Sequence, residues 1–277
     1  MIRLKLMRWL VAILMQDARE ATGMSQKKVA RAFRVSPGTI YNWERGIHHP
    51  PYGMIARIAE VYGIDAELRF YIELILEAND FRILEAQPRL HAIALAKAEQ
   101  NAEFIFKHEP HLIHGPLQTR DYHFLVPQAA EQLPDSEAED GWNFKRGRRE
   151  GLRARTPAPQ VRYLSGDSAI YHLRSLPEPV RIEIVRDMLG QDSLPNVEIR
   201  VINQFHHARS TSFDVYRGGI RELSLPPFIY TESFPNRSWC IEEERLVSLY
   251  HEAGQAMWQL GIPLKEFLHE HCRDLLA

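Results

Sequence analysis

Residues 24–51, MSQKKVARAFRVSPGTIYNWERGIHHPP, constrain the fold more than any other stretch of the chain. Ser25 and Ser36 stand where a helix wants a capping hydroxyl. Pro37 falls in a first turn, where a missing N–H costs nothing, and Gly46 stands where a helix must stop. Val29, Ala30 and Phe33 form one inner face, and Ile40 and Trp43, three apart, anchor another. The spacing predicts two short helices around a tight corner. The outward side of the second carries Gly38, Thr39, Tyr41 and Asn42, with Arg45 at its end. Small, hydroxylic and amide side chains of this kind reach base edges and phosphates. Two capped helices with a glycine stop also occur in any small helical domain, so the pattern alone does not decide.

The order of residues adds to it. Gly-Met-Ser-Gln at 23–26 is followed by Val29-Ala30, Val35-Ser36, Thr39-Ile40, Trp43-Glu44-Arg45-Gly46 and then Pro50. This resembles the Cro/repressor-type, or xenobiotic-response-element, helix-turn-helix family. The resemblance implies a five-helix, all-α DNA-binding domain over residues 1–76. It implies that Gln26 meets the backbone and braces the recognition helix, that Thr39 to Asn42 read bases, and that Glu44 secures the fold. The expected DNA-binding set is Gln26, Lys27, Lys28, Arg34, Ser36, Pro37, Gly38, Thr39, Tyr41, Asn42 and Arg45, with the lysines and arginines on phosphates.

Charge agrees. The chain of 277 residues has a formal net charge of −2, but residues 1–70 hold 11 Lys or Arg against 6 Asp or Glu. A positive head on an acidic body suits a protein that applies one end to phosphate. Cys240 and Cys272 offer neither a disulfide framework nor metal-ligand spacing. The apolar run at 9–15 is too short to span a membrane and is followed by no small-residue cleavage site. A cytoplasmic, nucleoid-associated protein without membrane contact is expected.

The first helix is expected over 8–22, with more bulky apolar residues than three turns need. Either it packs on later helices of the head, or part of it meets the larger domain or a second subunit. Residues 77–96 read as a linker and the lead-in to a second domain over 97–277, and residues 100–106 as continued helix. A short helix is expected from 135 to 139, and the basic run from Lys145 to Arg155 as an exposed helix face. Strands are expected at 161–164, 197–202, 211–216, 220–225 and 228–231, and helices at 167–173, 177–189, 242–260 and 264–276. The body is therefore expected to be α+β, with a small, mostly antiparallel sheet.

The body carries its own landmarks: Glu109-Pro110, the run from Ile113 to Thr119, Asp121-Tyr122, the run from Gly166 to Ile170, the run from Leu194 to Val197, and Ile229-Tyr230-Thr231-Glu232. These resemble the uncharacterised regulatory domain that follows a repressor-type head in many actinobacterial regulators. The resemblance implies developmental or secondary-metabolism regulation, sometimes beside a small acidic partner protein. His114-Gly115-Pro116-Leu117 and Asp167-Ser168-Ala169 depart from the usual pattern.

No glycine-rich phosphate loop, nucleophile elbow or zinc helix is present, so no catalytic residue, metal or cofactor is expected. His108, His111, His114 and His123 cluster in sequence across a turn, with Glu109 and Asp121 between; some could converge as a metal or proton-sensitive site, but the expectation is that they do not. The reading is a transcriptional regulator, expected to be a dimeric repressor on double-stranded DNA with an effector or dimer surface in its body. The alternatives are an interaction protein whose large domain receives a small partner protein or effector, and an antitoxin-like or phage-type immunity regulator.

Overall fold

The structure, a computed structural model, describes residues 5–78, 87–128, 134–219, 222–233 and 237–276. Five helices open the chain: α1 (Lys5–Ala21), α2 (Gln26–Phe33), α3 (Pro37–Glu44), α4 (Ile55–Tyr62) and α5 (Ala66–Glu77). Their boundaries have local causes. The Ser25 and Ser36 hydroxyls accept the N–H of Lys28 and Thr39, and Asp65 accepts that of Leu68 at 2.7 Å. These caps satisfy donors that a helix start leaves open. Gly46 ends α3 at φ +63°, a conformation that a side chain disfavours.

The body follows with α6 (Pro88–Asn101), β1 (Phe104–Glu109), a single turn α7 (Arg120–His123), α8 (Asp135–Ala154), β2 (Gln160–Gly166), α9 (Asp167–His172), α10 (Glu178–Asp192), β3 (Val197–Ile202), β4 (Phe213–Arg217), β5 (Phe228–Ser233), β6 (Arg237–Ile241), α11 (Glu244–Leu260), β7 (Ile262–Pro263) and α12 (Leu264–His271). The strands form one seven-stranded sheet in the order β6-β5-β4-β1-β2-β3-β7. β1 pairs with β2, and β2 with β3, in parallel; the other pairings are antiparallel. The sheet is thus larger than expected and mixed. Its parallel centre comes from two helical crossovers, β1 to β2 and β2 to β3, which return the chain to the same end.

Both faces of the sheet are covered. Phe106, Leu164, Phe213, Val215 and Ile229 face α11 in one apolar cluster. A Cβ on Gly254 of α11 would come within 2.9 Å of the Phe106 ring, so glycine sets how closely helix and sheet approach. The alternate residues Ile105, Tyr163, Ile199 and Val201 belong to a second cluster, which also contains the core of the first five helices.

α1 joins head and body. From Leu6 to Met15 only Arg8 escapes full burial, because the helix is covered on all sides. The Glu242 carboxylate accepts the N–H groups of Lys5 at 2.8 Å and Leu6 at 2.7 Å, so a body side chain caps the first head helix. Trp9 donates its indole N–H to the Leu223 carbonyl, and Lys97 pairs with Asp17 at 2.7 Å. Of the readings for the extra apolar surface, packing on the later helices of the head and contact with the larger domain are both observed.

Several other expectations are corrected. Residues 104–106 are strand rather than helix, since Phe104, Ile105 and Phe106 have partners on both sides in the sheet. No strand lies in the described part of 220–225, where 222–225 run as bend and irregular backbone. The short helix at 135 continues to Ala154, through the basic run. That run is not a simple exposed face. Arg148 grips Glu99 through two bonds of 2.7 and 2.5 Å, and Arg149 pairs with Asp187; both arginines are largely buried. The helix expected over 264–276 breaks at Cys272, whose side chain is fully buried. Of the expected linker, 79–86 lie outside the described residues, and its far end is already the start of α6.

Candidate nucleic-acid interface

α2 and α3 are held at their corner from beneath. Glu44, on the inner face of α3, is buried and receives three N–H groups: Arg19 Nε at 2.5 Å, Arg19 Nη2 at 3.0 Å and Gln26 Nε2 at 2.7 Å. Arg19 also donates to the Met24 carbonyl at 2.9 Å, tying α1 to the start of α2. Hydrogen bonding to Glu44 raises the Arg19 pKa, against the effect of burial. A buried carboxylate needs such partners, since an unpaired charge in this position would be strongly destabilising. Gln26 is thus occupied on the inside of the corner, where it braces α3.

The corner itself is tight. Arg34 adopts φ +57° and ψ +42°, and the Val35 N–H returns to the Ala30 carbonyl at 2.9 Å. Ser36 then caps α3, and its hydroxyl lies 2.9 Å from that of Thr39. Ser36 and Thr39 therefore share their hydroxyl bonding with the helix start, while Thr39 keeps a partly exposed side chain. Ile40 and Trp43 are buried beneath α3. Pro37, Gly38 and Tyr41 are exposed, and Asn42 is half-buried.

Cations surround this surface. Lys27, Lys28 and Arg34 are exposed, and among the described residues none of them carries an ion pair. Arg31 shares that condition and lies on the same side of α2 as Lys27 and Lys28. Its place was legible in the sequence, because it stands four residues after Lys27 and three after Lys28. Arg45 differs: its guanidinium sits 2.8 Å from the Glu222 carboxylate, in the segment between β4 and β5, and 5.6 Å from the Tyr41 ring centroid. The arrangement is a capped helix start flanked by cations, with small and polar groups outward. Backbone N–H groups and the helix dipole favour an anion at such a start.

The histidines expected not to form a metal site are employed separately. Both ring nitrogens of His108 face backbone carbonyls, of Leu164 at 2.9 Å and Arg209 at 2.8 Å. His123 lies against the Ala138 carbonyl and Lys145. Among the described residues, no three His, Cys, Asp or Glu side chains converge as a metal site, and no helix is long and apolar enough to cross a membrane.

A family model described as a helix-turn-helix domain matches residues 11–70. A second, described as a domain of unknown function (DUF5753), matches residues 93–266. No curated protein matches the chain. The first match covers α2, α3 and the corner between them, a domain type that binds DNA and serves transcriptional regulation.

Proposed function

Because the chain belongs to the DUF5753 family and carries a helix-turn-helix domain ahead of it, we propose that it is a sequence-specific transcriptional regulator of the Cro/repressor type. Residues 1–76 bind duplex DNA, and the body from α6 onward regulates. α3 enters the major groove, with Thr39, Tyr41 and Asn42 toward base edges. Lys27, Lys28, Arg31 and Arg34 hold the flanking phosphates. The observation that carries this reading is the exposed cationic surface of α2 beside a capped, outward-facing α3.

One head contacts few base pairs, so selective binding requires two heads on half-sites about one helical turn apart. We assign the chain as a dimeric repressor in the cytoplasm that catalyses no reaction of its own.

The test is binding-site selection from random duplexes, followed by footprinting. Thr39→Ala with Asn42→Ala should weaken the selected site far more than random DNA. Lys28→Ala should weaken both and reduce the salt slope by about 0.9. Purified protein without salt-dependent affinity for duplex DNA would end this reading.

A further inference from the structure

At the amino ends of β2 and β3 the body opens a cleft of about 300 Å³, between helices α8 and α10. Arg149, Leu152 and Arg153 reach it from one side of α8, three and four positions apart. Val161 and Tyr163 reach it from one face of β2, two apart. Pro116, Leu152, Val161 and Val197 give it an apolar floor. The volume is about twice the ~150 Å³ of a cavity that holds one benzene, and it lies at the lower end of the range for ligand pockets.

The lining carries two cations, Arg149 and Arg153, and no carboxylate. Arg149 is held by Asp187, which lies just outside it. Arg153 is exposed, and among the described residues it has no carboxylate partner. Both guanidiniums converge on one neutral atom. The Gln191 side-chain oxygen, in the orientation that satisfies its neighbours, accepts Arg149 Nε and Nη2 at 2.9 Å each and also Arg153 Nη2. An amide oxygen has two lone pairs, so three N–H groups crowd it. Two positive charges meet at this oxygen and only one is answered by a carboxylate, which leaves a surplus. In the groove that continues past Gly190, Arg186 joins Arg149 and Arg153 against Glu183 and Asp187, while Arg120 is paired with Glu139.

Tyr163 lines the inner wall, with its ring packed against His114 at 5.1 Å between centroids. The residue is only 4% exposed, and its hydroxyl has no hydrogen-bond partner among the described residues. The unpartnered hydroxyls of Thr119 and Ser165 are sealed inside the core, whereas the Tyr163 oxygen keeps accessible surface. Burial pushes its pKa up, so the group is a neutral hydroxyl that can donate and accept. Leaving such a hydroxyl without a partner in apolar surroundings is costly, and a ligand oxygen would remove that cost.

We propose that this cleft binds a small organic acid. Its carboxylate sits between Arg149 and Arg153, its apolar body covers Leu152 and Val161, and one of its oxygens accepts the Tyr163 hydroxyl. A carboxylate takes two parallel N–H bonds from a guanidinium and supplies the missing negative charge. It also relieves the Gln191 oxygen of part of its crowding. The apolar floor favours an acid with a hydrocarbon body over a bare inorganic anion, which would leave that surface in water. The assignment goes beyond the DNA-binding reading and does not rest on it, since every group it uses lies between Pro116 and Val197.

The experiment uses the full chain without DNA, in Tris chloride at about pH 7.5. Thermal unfolding and calorimetric titration compare benzoate and 4-hydroxybenzoate with benzamide, acetate and inorganic phosphate, each up to about 10 mM. Saturable binding of an aromatic acid, at least about tenfold tighter than any of the controls, is expected. Arg153→Gln should weaken it at least about tenfold. Tyr163→Phe should weaken it about fivefold without lowering the Tm of the free protein, because no hydrogen bond is lost there. A loss shared by both acids assigns the accepting oxygen to the carboxylate, and a loss confined to 4-hydroxybenzoate assigns it to a second polar group; either supports the site. Should Tyr163→Phe fail to fold, Arg153→Gln, at an exposed side chain, makes the comparison alone. Absence of binding by both acids, equal binding of benzamide, acetate or phosphate, or acid affinity unchanged in the folded variants would each overturn the proposal.

Discussion

The Arg45 guanidinium lies 2.8 Å from the Glu222 carboxylate, and this pair bridges the residue that caps the end of α3 and the segment between β4 and β5. Glu222 is largely exposed, with 73% of its side chain open to solvent, whereas Arg45 is only 26% open. On the proposed function, a phosphate would approach Arg45 where this carboxylate lies, and the two would compete for the same cation.

Replacing Glu222 by glutamine should therefore tighten DNA binding. Exposed ion pairs are worth about 0–1 kcal/mol, which limits the gain to roughly fivefold. Fluorescence anisotropy on one duplex at two salt concentrations measures it, and the gain should shrink at the higher salt. An unchanged Kd would mean that Arg45 takes no part in phosphate contact.

Glu44 should matter far more to folding. Its removal leaves Arg19 buried without its carboxylate and frees the Gln26 amide. Glu44→Ala is expected to cost about 3–5 kcal/mol, the range for breaking a buried ion pair from one side. Gln26→Ala should cost about 1 kcal/mol, as for one lost hydrogen bond. Urea unfolding followed by tryptophan fluorescence compares the two, and equal losses would contradict the central place given to Glu44.

Arg34 sets stability against binding at one position. Its φ of +57° is a left-handed conformation that glycine tolerates without penalty. Arg34→Gly should raise stability by about 1 kcal/mol, removing the strain of a side chain in that region. The same change should weaken DNA binding and flatten the salt slope by about 0.9. Stability falling with the substitution would show that the arginine side chain supports the corner by contacts of its own.

His49 predicts a pH dependence. Burial, reinforced by nearby Arg8, lowers its folded pKa from 6.5 to about 4. Below pH 6.5 the unfolded chain takes up a proton that the folded chain refuses, so stability falls as pH drops from 6.5 toward 4. His108 and His114, likewise held neutral by burial, act in the same direction. Thermal melts of the wild type should show Tm falling across that window. His49→Gln should show a shallower decline, and identical slopes would remove His49 from the account.

The first two helices of the recognition unit were legible because their determinants are local. Ser25, Ser36, Pro37 and Gly46 act within one turn of where they stand, and the apolar spacing of Ile40 and Trp43 follows from helix geometry alone. The strand from Val197 to Ile202 was legible for the same reason, through its alternation. β1 was not, because residues 100–106 suit a helix and only pairing with β2 and β4 makes 104–109 a strand.

The sequence by itself determined the capped corner, the positive head and the order of landmarks in the body. The tertiary structure alone decided which charges are available. Arg148 and Arg45 look no different from Arg34 along the chain, yet Arg148 is committed to Glu99, Arg45 is shared with Glu222, and Arg34 faces solvent. Capping and periodicity operate over a few residues, whereas desolvation and pairing of charge depend on partners 49 and 177 positions away. No local pattern carries that information, because it arises only when the sheet brings distant segments together.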